Sequence, residues 1–370
     1  LAGCSAVFVA ARRLPAVLAQ ALAVLGLMRL LSPAAPGGDE LHPLPYFHTI
    51  ERLARADASA AWCSFIACTA SLVAAYLPAD VAAPLFGRPA LKAAGVFAPR
   101  GTAVPDGDGL RLSGRWAWGS GVHHADVVVV GCLVRGADGR PETIAAGAPR
   151  VRSVVVDARH VRTLDNWTAM GLCGTGSGEF EITDAWVPQS HTACLIDGAP
   201  VVDSALYRFP VFGLLALSIA AVASGIARLA LDELVALAST KVPQGGQRTL
   251  AQRPAVHEAV ARAEAQWRGA RAYVSEAIDA AWHQAARGDA LDVAARRDLR
   301  LAITHTVHTA AAVVDRMHTL GGGDAVFAAS PLQRCLRDVH VATQHMMVAE
   351  PTFELTGRLL LGQPTGVEML

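Results

Sequence analysis

Apolar residues recur every three or four positions up to about Leu91, every second position from about Lys92 to Pro188, and every three or four again after Tyr207. A chain with that double switch of period folds as helices, then a β unit, then helices, and shows no internal repeat. The first helical stretch carries Leu14, Val17, Leu18, Ala21, Leu22 and Leu25, breaks at the Pro- and Gly-rich segment Pro33 to Gly38, and resumes through Thr69 to Tyr76. Strand character follows. Leu110, Leu112, Gly114, Trp116 and Trp118 alternate, Asp106-Gly107-Asp108-Gly109 and Asp138-Gly139 are hairpin turns, and Val127 to Val130, Val151 to Val156, Phe180 and Ile182 continue the pattern. Beyond Tyr207, Val256, Val260, Ala263, Trp267, Ala270, Val274, Ala277 and Ala281 form one long stripe between Pro254 and Gly288. A second stripe, from Leu299 through Ile303, Val307, Ala310, Val314 and Met317, stops at Gly321-Gly322-Gly323; a last helix begins after Pro331 and is cut by Pro351. The expected class is α+β: an N-terminal helical domain over residues 1–92, a central β barrel or sandwich over 93–205, and a C-terminal four-helix bundle over 206–370.

Charge narrows the partners. Lysine plus arginine and aspartate plus glutamate both total 32, with no long run of either sign, so neither nucleic acid nor an anionic membrane surface is expected. Apolar residues make up 52% of the chain and charged residues 17%, enough to bury a large core. The cysteines, Cys4, Cys63, Cys68, Cys132, Cys173, Cys194 and Cys335, are dispersed and contain no C-x-x-C pair, which fits a reducing cytoplasm. Two segments invite a membrane reading. Leu1-Ala2-Gly3-Cys4 looks like a lipoprotein processing box, but no charged and apolar leader stands before it, and lipidation is not expected. The uncharged run from Val211 to Ala227 leads straight into Arg228, Asp232 and Glu233 and reads as a buried bundle helix.

Three short motifs fall in this frame. They are Gly114-Arg115-Trp116-Ala117-Trp118-Gly119-Ser120-Gly121; Met170-Gly171-Leu172-Cys173-Gly174-Thr175-Gly176-Ser177 with a later Val187-Pro188; and Leu320-Gly321-Gly322 followed by Pro331-Leu332-Gln333-Arg334 and Leu336-Arg337-Asp338. By residue type alone, Ser120, Ser177 and Thr168 can donate or accept hydrogen bonds to a heterocycle, and Trp118 and Trp167 can supply flat apolar walls. The backbone N–H groups of Gly174 to Gly178 and Gly321 to Gly323 can approach phosphate oxygens. The same tryptophans also suit a core, and the same glycines a simple turn of the chain.

Together the motifs and the element order resemble the acyl-CoA dehydrogenase superfamily over essentially the whole chain. The resemblance implies a flavin held near Trp118, Ser120, Trp167, Thr168, Gly174, Thr175, Gly321 and Gly322. Dehydrogenases of that superfamily often place a glutamate base a few residues beyond the Arg-Asp pair. Here the chain reads Asp338-Val339-His340-Val341-Ala342-Thr343-Gln344-His345-Met346, and His345 falls at or next to that position. An imidazole titrates near neutrality and can give or take a proton.

That exchange, with Ser120-Gly121-Val122-His123-His124-Ala125-Asp126, is similar to the oxygenase branch, the two-component flavin-dependent monooxygenases of the p-hydroxyphenylacetate and steroid phenol hydroxylase type. The resemblance implies reduced FMN or FAD delivered by a separate flavin reductase, O2, a C4a-hydroperoxide, a small organic substrate and a homotetramer. It places Ser177 at flavin N5, His345 near the isoalloxazine or the substrate, and His124, or its neighbour His123, facing the substrate. Each histidine also suits a bland structural place in a core or loop. Cys173 stands where the superfamily often has arginine. His305 and His308, three apart on a helix, lack a third ligand nearby, and no metal is expected. Two readings compete: an acyl-CoA dehydrogenase with its base at Asp232 or Glu233, and a non-catalytic scaffold that binds no flavin.

Overall fold

The computed structural model describes residues 5–136, 138–144, 147–196, 198–289, 291–368 and 370, so the Leu1-Ala2-Gly3-Cys4 stretch lies outside the described residues. Helices α1 (Ser5–Ala11), α2 (Ala16–Val24), α3 (Pro43–Ala56), α4 (Ala58–Ser71) and α5 (Ala79–Phe86) come first. Strands β1 (Ala93–Asp106), β2 (Gly109–Trp116), β3 (Val127–Val134), β4 (Val151–Asp157), β5 (Val161–Thr163), β6 (Phe180–Pro188) and β7 (Thr192–Ala193) follow. Helices α6 (Ala205–Arg208), α7 (Val211–Thr240), α8 (Pro254–Ala286), α9 (Val293–Gly321), α10 (Pro331–Thr343) and α11 (Pro351–Leu360) complete the chain. The class is the expected one, helices on either side of a β unit.

The β unit is one seven-stranded sheet in the order β5-β6-β2-β1-β3-β4-β7. The expected turn at Asp106 to Gly109 closes the β1–β2 hairpin, with Gly107 at φ +63°. Strand β3 is apolar on both faces because both are covered. Val127 and Val129 pack with Val73 and Ala74, while Val128 and Val130 pack with Trp116 and Phe180. Trp116 is core: its ring stacks on Phe180 at 5.5 Å and its Nε1 donates to the Gly131 carbonyl at 2.9 Å.

Every residue of α4 but Ile66 is buried, since the helix lies between β1 on one side and α3 and α7 on the other. Its Ala, Ser and Cys content permits such close approach on all sides. Helix α7, the uncharged run foreseen as a bundle helix, is enclosed by α3, α9 and α10. Close approach is visible at Gly225, where a Cβ would fall 2.3 Å from the Glu51 carbonyl oxygen of α3. Nearby, the buried Glu51 carboxylate accepts from Ser224 Oγ at 2.6 Å and from Arg271 Nε at 3.0 Å, which ties α3, α7 and α8 together.

Two boundaries differ from the sequence reading. Trp118 continues the alternation of β2 in sequence, but the strand ends at Trp116 and Trp118 adopts φ +68° with 67% exposure. The last bundle helix does not run to Pro351. Helix α10 stops at Thr343, whose hydroxyl turns back to the His340 carbonyl at 2.8 Å, and Pro351 instead opens α11 at a position that needs no amide hydrogen. The turn between them carries His345.

Candidate active site

Two segments converge beneath α4. The turn after β2 delivers Ser120, and it can reverse so tightly because Trp118 and Gly121 (φ +75°) both hold positive φ. The 170–178 loop delivers Thr175 and Ser177 through Leu172 and Gly176, at φ +48° and +58°. Backbone bonds from Gly119 N to Gly178 O (2.9 Å) and from Gly121 N to Thr175 O (3.0 Å) lock the two turns together.

A buried hydroxyl relay results. Trp62 Nε1 donates to Ser120 Oγ at 3.1 Å, Ser120 and Ser177 Oγ are 2.6 Å apart, Ser177 Oγ and Thr175 Oγ1 are 2.6 Å apart, and Thr175 Oγ1 donates to the Leu172 carbonyl at 2.8 Å. Trp167 Nε1 donates to that same carbonyl at 3.2 Å. All five relay residues are buried.

Helix α10 clamps the loop. Asp338 Oδ1 accepts from Leu172 N at 2.6 Å, and Arg337 Nη1 donates to the Met170 carbonyl at 2.8 Å. A Cβ on Gly171 would fall 2.2 Å from the Arg337 carbonyl oxygen, so only glycine passes there. Burial raises the Asp338 carboxyl to about 6 against the lowering effect of the Leu172 amide, with Asp57 adding to the rise. Cys173 donates to the Ala169 carbonyl at 3.3 Å, and burial, then Asp338, push its thiol above the ordinary range. The Arg337 guanidinium opposes that rise.

His345 reaches the relay through α4, its ring centroid 6.1 Å from that of Trp62. Loss of hydration and the Arg300 guanidinium lower its pKa to about 4. The resting imidazole is therefore neutral at pH 7, rather than half-titrated as its free value near neutrality suggests. Its Nδ1 accepts from Met347 N at 3.3 Å, which leaves the ring proton on Nε2 as a donor. Arg300 is itself buried and donates to the Met347 carbonyl at 3.3 Å, holding the same turn.

His123 and His124 occupy the short 3₁₀ turn Val122–His124. His123 lies against Gly176, where a Cβ would sit 2.8 Å from its Cδ2, and burial followed by Arg13 lowers its pKa. His124 is half-buried and its pKa is lowered chiefly by burial. Its Nε2 is enclosed with no hydrogen-bond partner among the described residues. The Arg12 turn covers this edge: Arg12 pairs with Asp165 and donates to the Trp167 carbonyl at 3.2 Å.

The remaining predicted positions are scattered. Trp118 meets buried Trp167 edge-on at 5.7 Å and keeps an open apolar face, as does Met170 at 56% exposure. Thr168 is exposed and stands outside the relay. Gly174 packs against Phe8 and Ser59. Gly321 closes α9 and packs against Leu332 and Ala325, while Gly322 (φ +55°) caps that helix near Lys241 Nζ. Asp232 faces Arg55 and Arg228 at 2.7 Å each, while Glu233, on the same helix, lies near enough to Cys335 of α10 to raise its thiol. No cluster of three His, Cys, Asp or Glu suited to a metal occurs among the described residues.

Sequence reasoning missed Trp62, the Leu172 carbonyl and Arg300. Trp62 sits in an apolar run and reads as core, a backbone carbonyl leaves no mark in sequence, and Arg300, which follows Arg296, Arg297 and Asp298, reads as part of a charged face.

These residues suit a flavin. Ser120 and Ser177 keep lone pairs for ring N–H groups, and Trp118 and Met170 leave apolar surface beside them. Residues 217–350 match the family model described as acyl-CoA dehydrogenase, C-terminal domain. The indole-3-acetate monooxygenase of Pseudomonas putida is 34% identical over 91% of this chain and 85% of its own. A flavin-dependent monooxygenase oxygenase subunit, HsaA of Rhodococcus jostii, is 27% identical over 90% of this chain and 88% of its own. The solved structure of XiaF from a Streptomyces species, in complex with FADH2 and glycerol, superposes with a TM-score of 0.91 at 25% identity over 99% of this chain and 93% of that one. The chain belongs to the acyl-CoA dehydrogenase superfamily, in its flavin-dependent monooxygenase branch. It is an oxidoreductase, an oxygenase component that uses reduced flavin on a small molecule.

Proposed function

We propose that the chain oxygenates a small aromatic substrate of indole or phenol type, with Ser177 at flavin N5, His345 and His124 toward the substrate, and Trp118 and Trp167 as walls. Reduced flavin, when bound, supplies the two electrons that activate O2. Ser177 accepts a ring N–H from within a buried relay, which keeps water off that proton. His345, neutral with its proton on Nε2, donates to a substrate oxygen or nitrogen as negative charge grows there. The enclosed, unpartnered His124 Nε2 is a second polar contact for substrate.

The observation that carries this reading is the placement of a neutral imidazole beside Trp62, which itself feeds the serine relay. The 34% identical indole-3-acetate monooxygenase supports an indole ring as the first substrate class to try. A separate reductase supplies the flavin, as the oxygenase-subunit relatives suggest. A homotetramer would cover exposed Val326, Phe327 and Leu361, at 63%, 67% and 76%. Buried thiols such as Cys63, Cys68, Cys132 and Cys335 suit a reducing cytoplasm.

The test is rapid mixing of the protein and chemically reduced FMN or FAD with oxygenated buffer, with and without indole-3-acetate. Return of the oxidised-flavin absorbance should lag, and product should form. Ser177→Ala should shorten the lag, and His345→Ala should lower product per flavin. Tightly bound oxidised FAD bleached by an acyl-CoA would overturn the reading.

A further inference from the structure

We propose that Thr175 sets the redox-state preference of the flavin site, by taking up the Ser177 hydroxyl proton so that Ser177 meets the ring only as an acceptor. This rests on the reading above, in which Ser177 faces N5. The indole N–H of Trp62 can only donate and the Leu172 carbonyl can only accept. The three hydroxyl protons between them therefore all point one way: Ser120 to Ser177 at 2.6 Å, Ser177 to Thr175 at 2.6 Å, Thr175 to Leu172 at 2.8 Å. Four donors serve four contacts, and the relay holds no spare proton.

Ser177 then has one lone pair left. A ring N–H directed at it makes one more donor and one more contact, and every group is served. A bare ring nitrogen asks Ser177 for its proton, and Ser177 must abandon Thr175 to give it. Thr175 cannot repair the loss in reverse without releasing Leu172. N5 carries hydrogen in the two-electron-reduced ring and is bare in the oxidised ring. The relay thus favours the reduced form by about one hydrogen bond, roughly threefold to tenfold in affinity.

Removing the Thr175 hydroxyl reverses the count. Trp62, Ser120 and Ser177 then form a chain of donors whose last proton points at N5, which suits the oxidised ring. The reduced ring instead leaves one buried donor unserved. Removing the Trp62 N–H deletes one donor together with its one contact, and the balance between the two forms stays as it was. Thr175 is in this sense a positioning residue, acting through Ser177.

The experiment measures equilibrium binding of oxidised FAD in air and of dithionite-reduced FAD under nitrogen, with FMN in parallel, to wild type, Thr175→Val, Thr175→Ala, Trp62→Phe and Ser177→Ala. The oxidised-to-reduced Kd ratio should fall about tenfold or more in both Thr175 variants and stay within about twofold of wild type in Trp62→Phe. Thr175→Ala carries the test if the bulkier valine prevents folding. A merely structural role for Thr175 would weaken both redox forms together and leave the ratio alone, and that result overturns the proposal provided Ser177→Ala changes the ratio. If Ser177→Ala also leaves it unchanged, the N5 contact lies elsewhere and the underlying reading fails with the proposal.

Discussion

The rings of Trp62 and His345 lie 6.1 Å apart, and the same Trp62 indole donates its N–H to Ser120 at 3.1 Å. One residue of α4 thus joins the two halves of the site, the hydroxyl relay built on the β unit and the imidazole built on the helical bundle. It can do so because α4 is buried on all sides between those layers. The geometry couples the imidazole and the hydroxyl relay through a rigid aromatic plate rather than through a loop.

His345 makes stability depend on pH in a stated direction. Its folded pKa, about 4, lies below the ordinary 6.5, so between those values the unfolded chain binds the proton and the folded one does not. Its neutral form is fully accommodated above pH 6.5, and stability is lost as pH falls toward 4. Urea unfolding of wild type and His345→Gln should show a smaller loss in the variant between pH 7 and 4.5; equal losses would contradict the assigned shift.

Asp338 shows the opposite sign. A buried carboxyl raised to about 6 stays protonated in the folded state above the pH at which the unfolded chain releases its proton. Its contribution is full below about 4 and declines as pH rises through 6. Asp338→Asn keeps an acceptor for the Leu172 amide without the buried charge, and should be no less stable than wild type at pH 8. Asp338→Ala leaves that amide unserved and should cost about 1–3 kcal/mol in thermal or urea unfolding.

Gly171→Ala tests the clamp between α10 and the relay loop. Its Cβ would meet a backbone oxygen, Arg337 O at 2.2 Å, which cannot swing aside as a side chain could. The variant should lose at least about 2 kcal/mol of stability or shift the loop, and flavin affinity should fall with it. Unaltered flavin affinity together with unaltered stability would show that the loop tolerates displacement.

Asp232→Asn and Glu233→Gln separate the oxygenase from the dehydrogenase reading. Asp232 is held by Arg55 and Arg228, so its loss should cost about 1 kcal/mol of stability. Product formed per reduced flavin should stay within about twofold of wild type in both variants. A collapse of turnover in either, without unfolding, would place a base on α7.

Period and motif spacing were enough for the element order, the fold class and the two turns that carry Ser120 and Ser177. They follow from local rules: helix and strand repeats, turn dipeptides, and glycines where side chains cannot fit. His345 is singled out by its distance in sequence from Arg337-Asp338, although its helix ends at Thr343 and not at Pro351. Its charge state was not legible, because Arg300 and the surroundings that dehydrate it come from elsewhere in the chain. The direction of the hydroxyl relay was hidden for the same reason. Trp62 precedes Ser120 by 58 residues and Ser177 follows it by 57, so only packing of α4 against the β unit decides who donates to whom. Sequence order specifies which groups exist and which local turns expose them, whereas dielectric surroundings and donor direction are properties of contacts between distant segments.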